Sequence, residues 1–421
     1  MGNYLVKCVE CGVVQPPYAL NCQNGDSLLR TEYLTKQLNP RNDLSGLWKF
    51  YDWLPVKVPL KSLDDSLVGE RPSVYKSEVL AQELGLDNLY ISFSGFWPEK
   101  KALMPTCSFK DLEAPPTLQR IMERKDCPVL VVSSVGNTAR AFAQAATEAG
   151  LALILVVPSE DLYRLWITEP ISDNICVISV DGDYNDAIDL GGRISTKPEF
   201  VSEGGARNVA RRDGMGVVML EGGLVMKALP HHYFQAVGSG TGGIAAWEAA
   251  LRLIEDGRFG QNLPQLHLAQ NDPCAPIYVA RSGSKVQKEC PKGMYDDVLF
   301  NKAPPYDVKG GVKDALESTL GQVYAITNQE ASEAQKLFEE SEEVDILPAA
   351  AIAVAALQRA VNTRSVNRED RILLNITGGG LTRLKEESEF NMLKCNLKAK
   401  PSDLISDTNL LAEIKEILGR A

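Results

Sequence analysis

The stretch Tyr233-Phe234-Gln235-Ala236-Val237-Gly238-Ser239-Gly240-Thr241-Gly242-Gly243-Ile244 decides the fold. A strand-like run, Tyr233 to Val237, enters a glycine-rich turn, and a helical pattern follows from Ile244 to Glu255. Such a turn offers backbone N–H groups to an anion at a helix N-terminus. The spacing also fits the G-x-G-x-x-G dinucleotide fingerprint. Against a dinucleotide, the motif lies past the middle of the chain. No strand ending in Asp or Glu stands about twenty residues on, since Glu255 and Asp256 fall at a helix end and turn. A phosphate monoester needs only the cradle and the helix dipole.

Outward from this turn, strand-like runs alternate with amphipathic segments from about residue 129, which predicts a parallel sheet with helices on both faces. Val129 to Ser133, Leu151 to Val157 and Ile175 to Val180 read as strands, with Phe200 and Val201 as an edge strand. Leu266 to Gln270, Val323 to Ile326 and Arg371 to Ile376 continue a second series. Asn137 to Gly150 and Pro348 to Val361 read as Ala-rich helices. The expected division is a short module at 1–30, a large domain from 31–129 and 226–395, a small α/β domain at 130–225, and a helical tail at 396–421. Leu410, Leu411, Ile414, Ile417 and Leu418 give that tail one apolar face, suited to dock on the body or on another subunit.

The chain has 421 residues, 44% hydrophobic and 24% charged, too long for one ordinary core. Its formal charge of −11 and lack of a basic run exclude a broad nucleic-acid surface. The N-terminus has no secretory core, and the longest apolar stretches are too short for a bilayer, so a soluble, cytoplasmic protein is expected. Nine cysteines, most of them scattered singly, suit a reducing compartment better than a disulfide framework. Cys8-x2-Cys11 and Cys22 make half a zinc ribbon, but Gly25 stands where a fourth thiolate belongs. The expectation is a relic hairpin with reduced thiols and no metal.

Lys110 completes the chemistry. It lies in Thr106-Cys107-Ser108-Phe109-Lys110-Asp111, and a desolvated lysine becomes neutral and forms a Schiff base with an aldehyde. An aldehyde that also carries a phosphate, for the Gly238–Gly243 turn, is pyridoxal 5′-phosphate. Asn137, after Ser133-Ser134-Val135-Gly136, is by itself an N-cap; in a cofactor site its amide would bond the phenolic oxygen. Ser133, Ser134 and Thr138 would hold a substrate carboxylate. Thr377, before Gly378-Gly379-Gly380, would face the pyridine nitrogen with a hydroxyl, which favours loss of a leaving group over transamination. The cofactor set is therefore Lys110, Asn137, Gly238, Ser239, Gly240, Thr241, Gly242, Gly243 and Thr377, with Lys110 catalytic. Arg140, Arg211 and Arg212 are the candidate cations for an anionic substrate, with surface charge pairs the alternative for Arg211 and Arg212. His231-His232 reads as structural.

In this order, these motifs resemble the fold-type II pyridoxal-phosphate enzymes, and within them the threonine synthase family, over nearly the whole chain. Ser108-Phe109-Lys110-Asp111, Ser134-Val135-Gly136-Asn137-Thr138, Asn208-Val209-Ala210-Arg211-Arg212-Asp213-Gly214 and Thr377-Gly378-Gly379-Gly380-Leu381 carry the resemblance. Leu112-Glu113, Val209 and Arg140 depart from it. The resemblance implies a tryptophan synthase β-like α/β fold: two open, twisted, mostly parallel sheets with flanking helices, and a zinc-ribbon-like N-terminal module. Asn21-x-x-Asn24-Gly25-Asp26-Ser27-Leu28-Leu29-Arg30-Thr31-Glu32-Tyr33 and Pro230 to Gly243 are similar to an archaeal branch of the family. That branch makes L-cysteate from O-phospho-L-serine and sulfite for coenzyme M. Phosphohomoserine converted to threonine, or phosphoserine with sulfide, are the neighbouring reactions; a silent ligand-binding protein and a nicotinamide dehydrogenase are alternatives of other kinds. Small-molecule substrates and self-association are expected, without nucleic acid or membrane.

Overall fold

The computed structural model of the chain describes residues 3–134, 136–283, 293–301, 304–401 and 408–419. Val135 and Cys290 lie outside the described residues. Two open sheets share one apolar core. The small sheet runs in the order Phe200–Ser202, Val129–Ser133, Leu153–Pro158, Ile175–Val180, Leu397–Ala399, all parallel. Val129 to Val132 and Leu153 to Val157 are buried on both faces, which is why these strands read as continuous apolar runs rather than alternations.

The large sheet runs Gln322–Ile326, Gln265–Asn271, His232–Ala236, Arg371–Ile376, Asn88–Phe93, Ser73–Lys76. Only its last strand is antiparallel. The helix Pro348–Asn362 lies buried against it, and its alanines let the backbone approach the sheet closely. The helix Val209–Met226 falls in the range expected for the small domain but packs instead on Thr241–Asp256. Buried charge fixes it there: Arg212 pairs with Glu248, and Asp213 with Arg252.

The N-terminal module is a three-stranded antiparallel sheet, Val14–Gln15, Tyr4–Cys8, Leu29–Tyr33. It is anchored to the same helix, since the Thr31 and Tyr33 hydroxyls donate to Asp213 at 2.6 and 2.7 Å. The expected helical tail begins as a strand, because Leu397–Ala399 extends the small sheet. Its helix Thr408–Ile417 then buries Ile414 and Leu418 against that sheet. The thiol expectation is corrected at one place: Cys274 is disulfide-bonded. Cys8, Cys11, Cys22, Cys107, Cys176 and Cys395 carry free thiols. Among the described residues no helix is long and apolar enough to cross a membrane.

Candidate active site

A cleft of about 540 Å³ opens where loops from the two sheets meet, and Lys110, Asn137, Gly238 to Gly242 and Thr377 all line it. In α/β sheets such crevices form beyond the carboxyl ends of the strands. Lys110 sits in the short helical turn Phe109–Leu112, whose start is capped by Ser108: its Oγ accepts the Lys110 N–H at 3.3 Å. Backbone bonds join this turn to the glycine segment far along the chain. Phe109 N–H donates to the Thr377 carbonyl at 3.0 Å and Gly379 N–H to the Cys107 carbonyl at 3.2 Å. Asp111 locks the turn from below, accepting from the Thr106 N–H at 3.0 Å and hydroxyl at 2.6 Å. Burial pushes the Asp111 carboxyl up to about 7 despite those donors.

Charge gathers on this side of the cleft. Lys110 Nζ lies 3.6 Å from the fully buried Glu113. Arg211 Nη2 donates to Glu113 at 2.7 Å, and its other terminal nitrogen pairs with Glu203. Burial depresses the basicity of Lys110; Glu113 pulls it back up and Arg211 pushes it further down, with a net fall. Burial would raise the Glu113 carboxyl, but Arg211 and Lys110 outweigh it and hold it below the usual range. Glu113 is therefore ionised, and Lys110 gives up its proton more readily than an ordinary lysine.

The glycine turn forms a different surface. Gly240 has φ +82°, and a Cβ there would overlap Val312. A Cβ on Gly242 would enter the Gln235 amide. Ser239 and Thr241 hydroxyls bond one another at 2.8 Å, and Ser239 Oγ accepts the Thr241 N–H at 3.4 Å. These contacts hold the turn at the N-terminus of the 16-residue helix Thr241–Asp256, whose cap residue Gly240 supplies no side chain to its first turn and lines the cleft. Asp256 is committed to Arg258 and the Leu38 N–H, and Glu255 pairs with Lys36, so neither serves a ribose.

Asn137 is the first helical residue and Gly136 the cap, so Asn137 is not an N-cap. Its Oδ1 accepts from Arg140 Nη2 at 2.6 Å, and its amide nitrogen makes no hydrogen bond among the described residues. Thr138 and Ser134 line the same wall, with Ser134 Oγ accepting the Gly136 N–H at 3.2 Å. Ser133 also lines it, but its hydroxyl is spent on the Ala187 carbonyl at 3.0 Å.

A family profile described as pyridoxal-phosphate dependent enzyme matches residues 73–378. The chain is 53% identical over 418 residues to a protein of Methanococcoides burtonii named cysteate synthase, covering 99% of each. It is 51% identical over 424 residues to the cysteate synthase of Methanothrix thermoacetophila, covering 99% of this chain and 100% of that one. The chain belongs to the cysteate synthase family.

Membership makes it a pyridoxal-phosphate-dependent enzyme, and solved structures agree on the fold. Threonine deaminase isoform 2 of Solanum lycopersicum superposes with a TM-score of 0.56 at 16% identity, over 84% of this chain and 89% of that one. Threonine synthase of Escherichia coli gives 0.53 at 14%, over 80% and 71%. Tested against this cofactor, the cleft fits. It has an amine of lowered basicity, an uncapped helix N-terminus behind a turn too tight for side chains, and an unengaged Asn137 amide.

Two arginines of this cysteate synthase family member are placed differently from expectation. Arg140 does not line the cleft: its guanidinium lies over the Trp166 ring at 4.5 Å and reaches back to Asn137, which makes it a positioning residue. Burial lowers it to about 10. Arg212 is fully buried on Glu248 and is neither site nor surface pair. Sequence reading missed Glu113, Glu203, Arg207 and the N-terminal Leu20 and Asn21, all but Glu113 at the cleft wall. The spacing of Lys110 and Glu113, three apart on one turn, was the available signal for Glu113.

Proposed function

We propose that the chain carries out β-replacement on O-phospho-L-serine: sulfite takes the place of phosphate at Cβ, and L-cysteate is released. The observation that carries this reading is Lys110, an amine of depressed basicity in a cleft shared with an anion-binding helix N-terminus. The names of relatives at 53% and 51% identity support the product. When bound, the cofactor supplies an aldehyde that takes up amines and an electron sink for the Cα bond.

Lys110 holds the cofactor and, once exchanged for the substrate amine, takes the Cα proton at Nζ and later returns it. Glu113, ionised and 3.6 Å away, keeps Nζ oriented between these transfers. The Ser239 to Gly242 N–H groups bind the cofactor phosphate. Ser134, Thr138 and the start of the Asn137 helix donate to the substrate carboxylate. Thr377, which lines the cleft, would offer the ring nitrogen a neutral hydroxyl rather than a carboxylate, which would favour expulsion at Cβ. The Cβ–O bond breaks with its electron pair on phosphate, the sulfite lone pair forms Cβ–S, and the Cα proton removed is restored. No oxidant or reductant is needed.

Arg207 and Arg211 are the cations that face these anions, alongside Lys110, among the described lining residues. Arg207 pairs with the largely exposed Asp26 and can exchange that partner for substrate at little cost. The same proposal places the enzyme in the cytoplasm as a homo-oligomer, which light scattering of the holoenzyme tests. For the reaction, phosphate release is measured from phosphoserine and from phosphohomoserine, each with sulfite, sulfide or neither. Sulfite-dependent release from phosphoserine, with cysteate found by mass spectrometry, is expected. Release from phosphohomoserine alone, with threonine formed, would overturn the reading.

A further inference from the structure

The N-terminal hairpin was expected to be a metal-free relic. Its geometry supports another reading. The sulfurs of Cys8, Cys11 and Cys22 lie within 4.8 Å of one another. Cys11 Sγ and Cys22 Sγ are 3.7 Å apart. Zinc–sulfur bonds of about 2.3 Å at tetrahedral angles set neighbouring sulfurs about 3.8 Å apart.

Donors converge on all three sulfurs. The Cys11 N–H points at Cys8 Sγ at 3.4 Å, and the Asn24 N–H at Cys22 Sγ at 3.4 Å. Ser27 Oγ is 2.8 Å from Cys8 Sγ, and the amides of Gln15 and Asn24 lie 3.8 Å from Cys22 and Cys11. Converging donors are what negatively charged, metal-bound sulfurs accept. Two tight turns face one another, Cys8 to Cys11 and Cys22 to Gly25, the second closed by a bridge between its end residues. Gly25 occupies the fourth corner, where an added Cβ would meet only Glu10 Oε2 at 3.9 Å.

We propose that Cys8, Cys11 and Cys22 bind one thiophilic divalent cation of the zinc class, with water or the Glu10 carboxylate as the fourth ligand. The site is structural in effect. The chain between Cys11 and Cys22 presents Leu20 and Asn21 to the catalytic cleft, and Asp26, just beyond, holds Arg207 of the cleft wall. A bound ion fixes both ends of that segment.

The test uses the holoenzyme, purified under reducing conditions, for elemental analysis, and the same protein after chelation for cobalt(II) titration. One equivalent of metal per chain is expected, with thiolate-to-cobalt charge-transfer absorption on refilling. Cys11→Ser should weaken cobalt binding at least about tenfold, while Cys127→Ser, at an exposed cysteine elsewhere, leaves it unchanged. Gly25→Cys completes the thiolate set in open space and should tighten binding at least about tenfold, a gain that no folding defect can mimic. The proposal is overturned by reduced protein that takes up no cobalt, by equal uptake in Cys11→Ser, or by no tightening in Gly25→Cys.

Discussion

The two linings of the cleft act through different physics. Around Lys110 four charged side chains form a chain of ion pairs: Lys110 lies 3.6 Å from Glu113, Glu113 accepts from Arg211 at 2.7 Å, and Arg211 also pairs with Glu203. Gly238 to Gly243 and Thr377 themselves carry no acidic or basic side chain, and binding there rests on N–H groups and on the absence of Cβ atoms. Proton chemistry needs a tuned charge; gripping a phosphate needs only shape and a helix end. The first lining should therefore answer to pH, and the second to volume.

The largest effect expected is at Lys110→Ala. Loss of the base alone removes about 10²–10⁴ of the rate, and borohydride should no longer fix the cofactor to the peptide holding position 110. Cofactor should still bind reversibly at the glycine turn, which separates the two linings in one variant. Retained borohydride labelling of that peptide would contradict the assignment.

Gly240→Ala tests volume. A left-handed conformation costs a residue with a Cβ about 1–2 kcal/mol, and the overlap with Val312 adds to it. Cofactor affinity, followed by absorbance titration, should fall at least about tenfold, with no change in the pH profile at saturating cofactor.

Glu113→Gln tests charge. Glu113 raises the Lys110 pKa, so its neutralisation lets that pKa fall further. Lys110 works as the neutral amine, and the acid limb of the kcat–pH profile should move to lower pH. A limb that stays in place, or moves up, would remove Glu113 from the proton circuit. The smallest effect is at Thr377→Val, where one neutral hydrogen bond worth about 1 kcal/mol is lost. A roughly fivefold drop in kcat with an unmoved pH profile is expected.

Much of this was legible in the sequence where the signal was local. The Val129 to Ser133 run and the strand–glycine–helix unit at Tyr233 to Glu255 announce themselves by pattern. Lys110, Asn137, Gly238 to Gly242 and Thr377 all reach one cleft, whereas Gly243 lies behind it against Leu268. What escaped depends on partners remote in sequence. Nothing near Arg211 reveals that Glu113, ninety-eight positions earlier, neutralises it. Arg140 was read as a ligand because cations attract anions, yet its spacing of three from Asn137 already placed both on one helical face. The helix Val209–Met226 went to the wrong domain because its buried charges, Arg212 and Asp213, find their partners only in three dimensions.

The backbone bonds between the Lys110 turn and the Thr377–Gly380 segment have a mechanical consequence. They tie the Lys110 turn and Thr377 to one frame, that of the large sheet. Ser134, Asn137 and Thr138 ride on the small sheet instead, between Val129–Ser133 and the helix Asn137–Glu148. The geometry between Lys110 and Thr377 is therefore set within one sheet, while Ser134, Asn137 and Thr138 take their positions from the other.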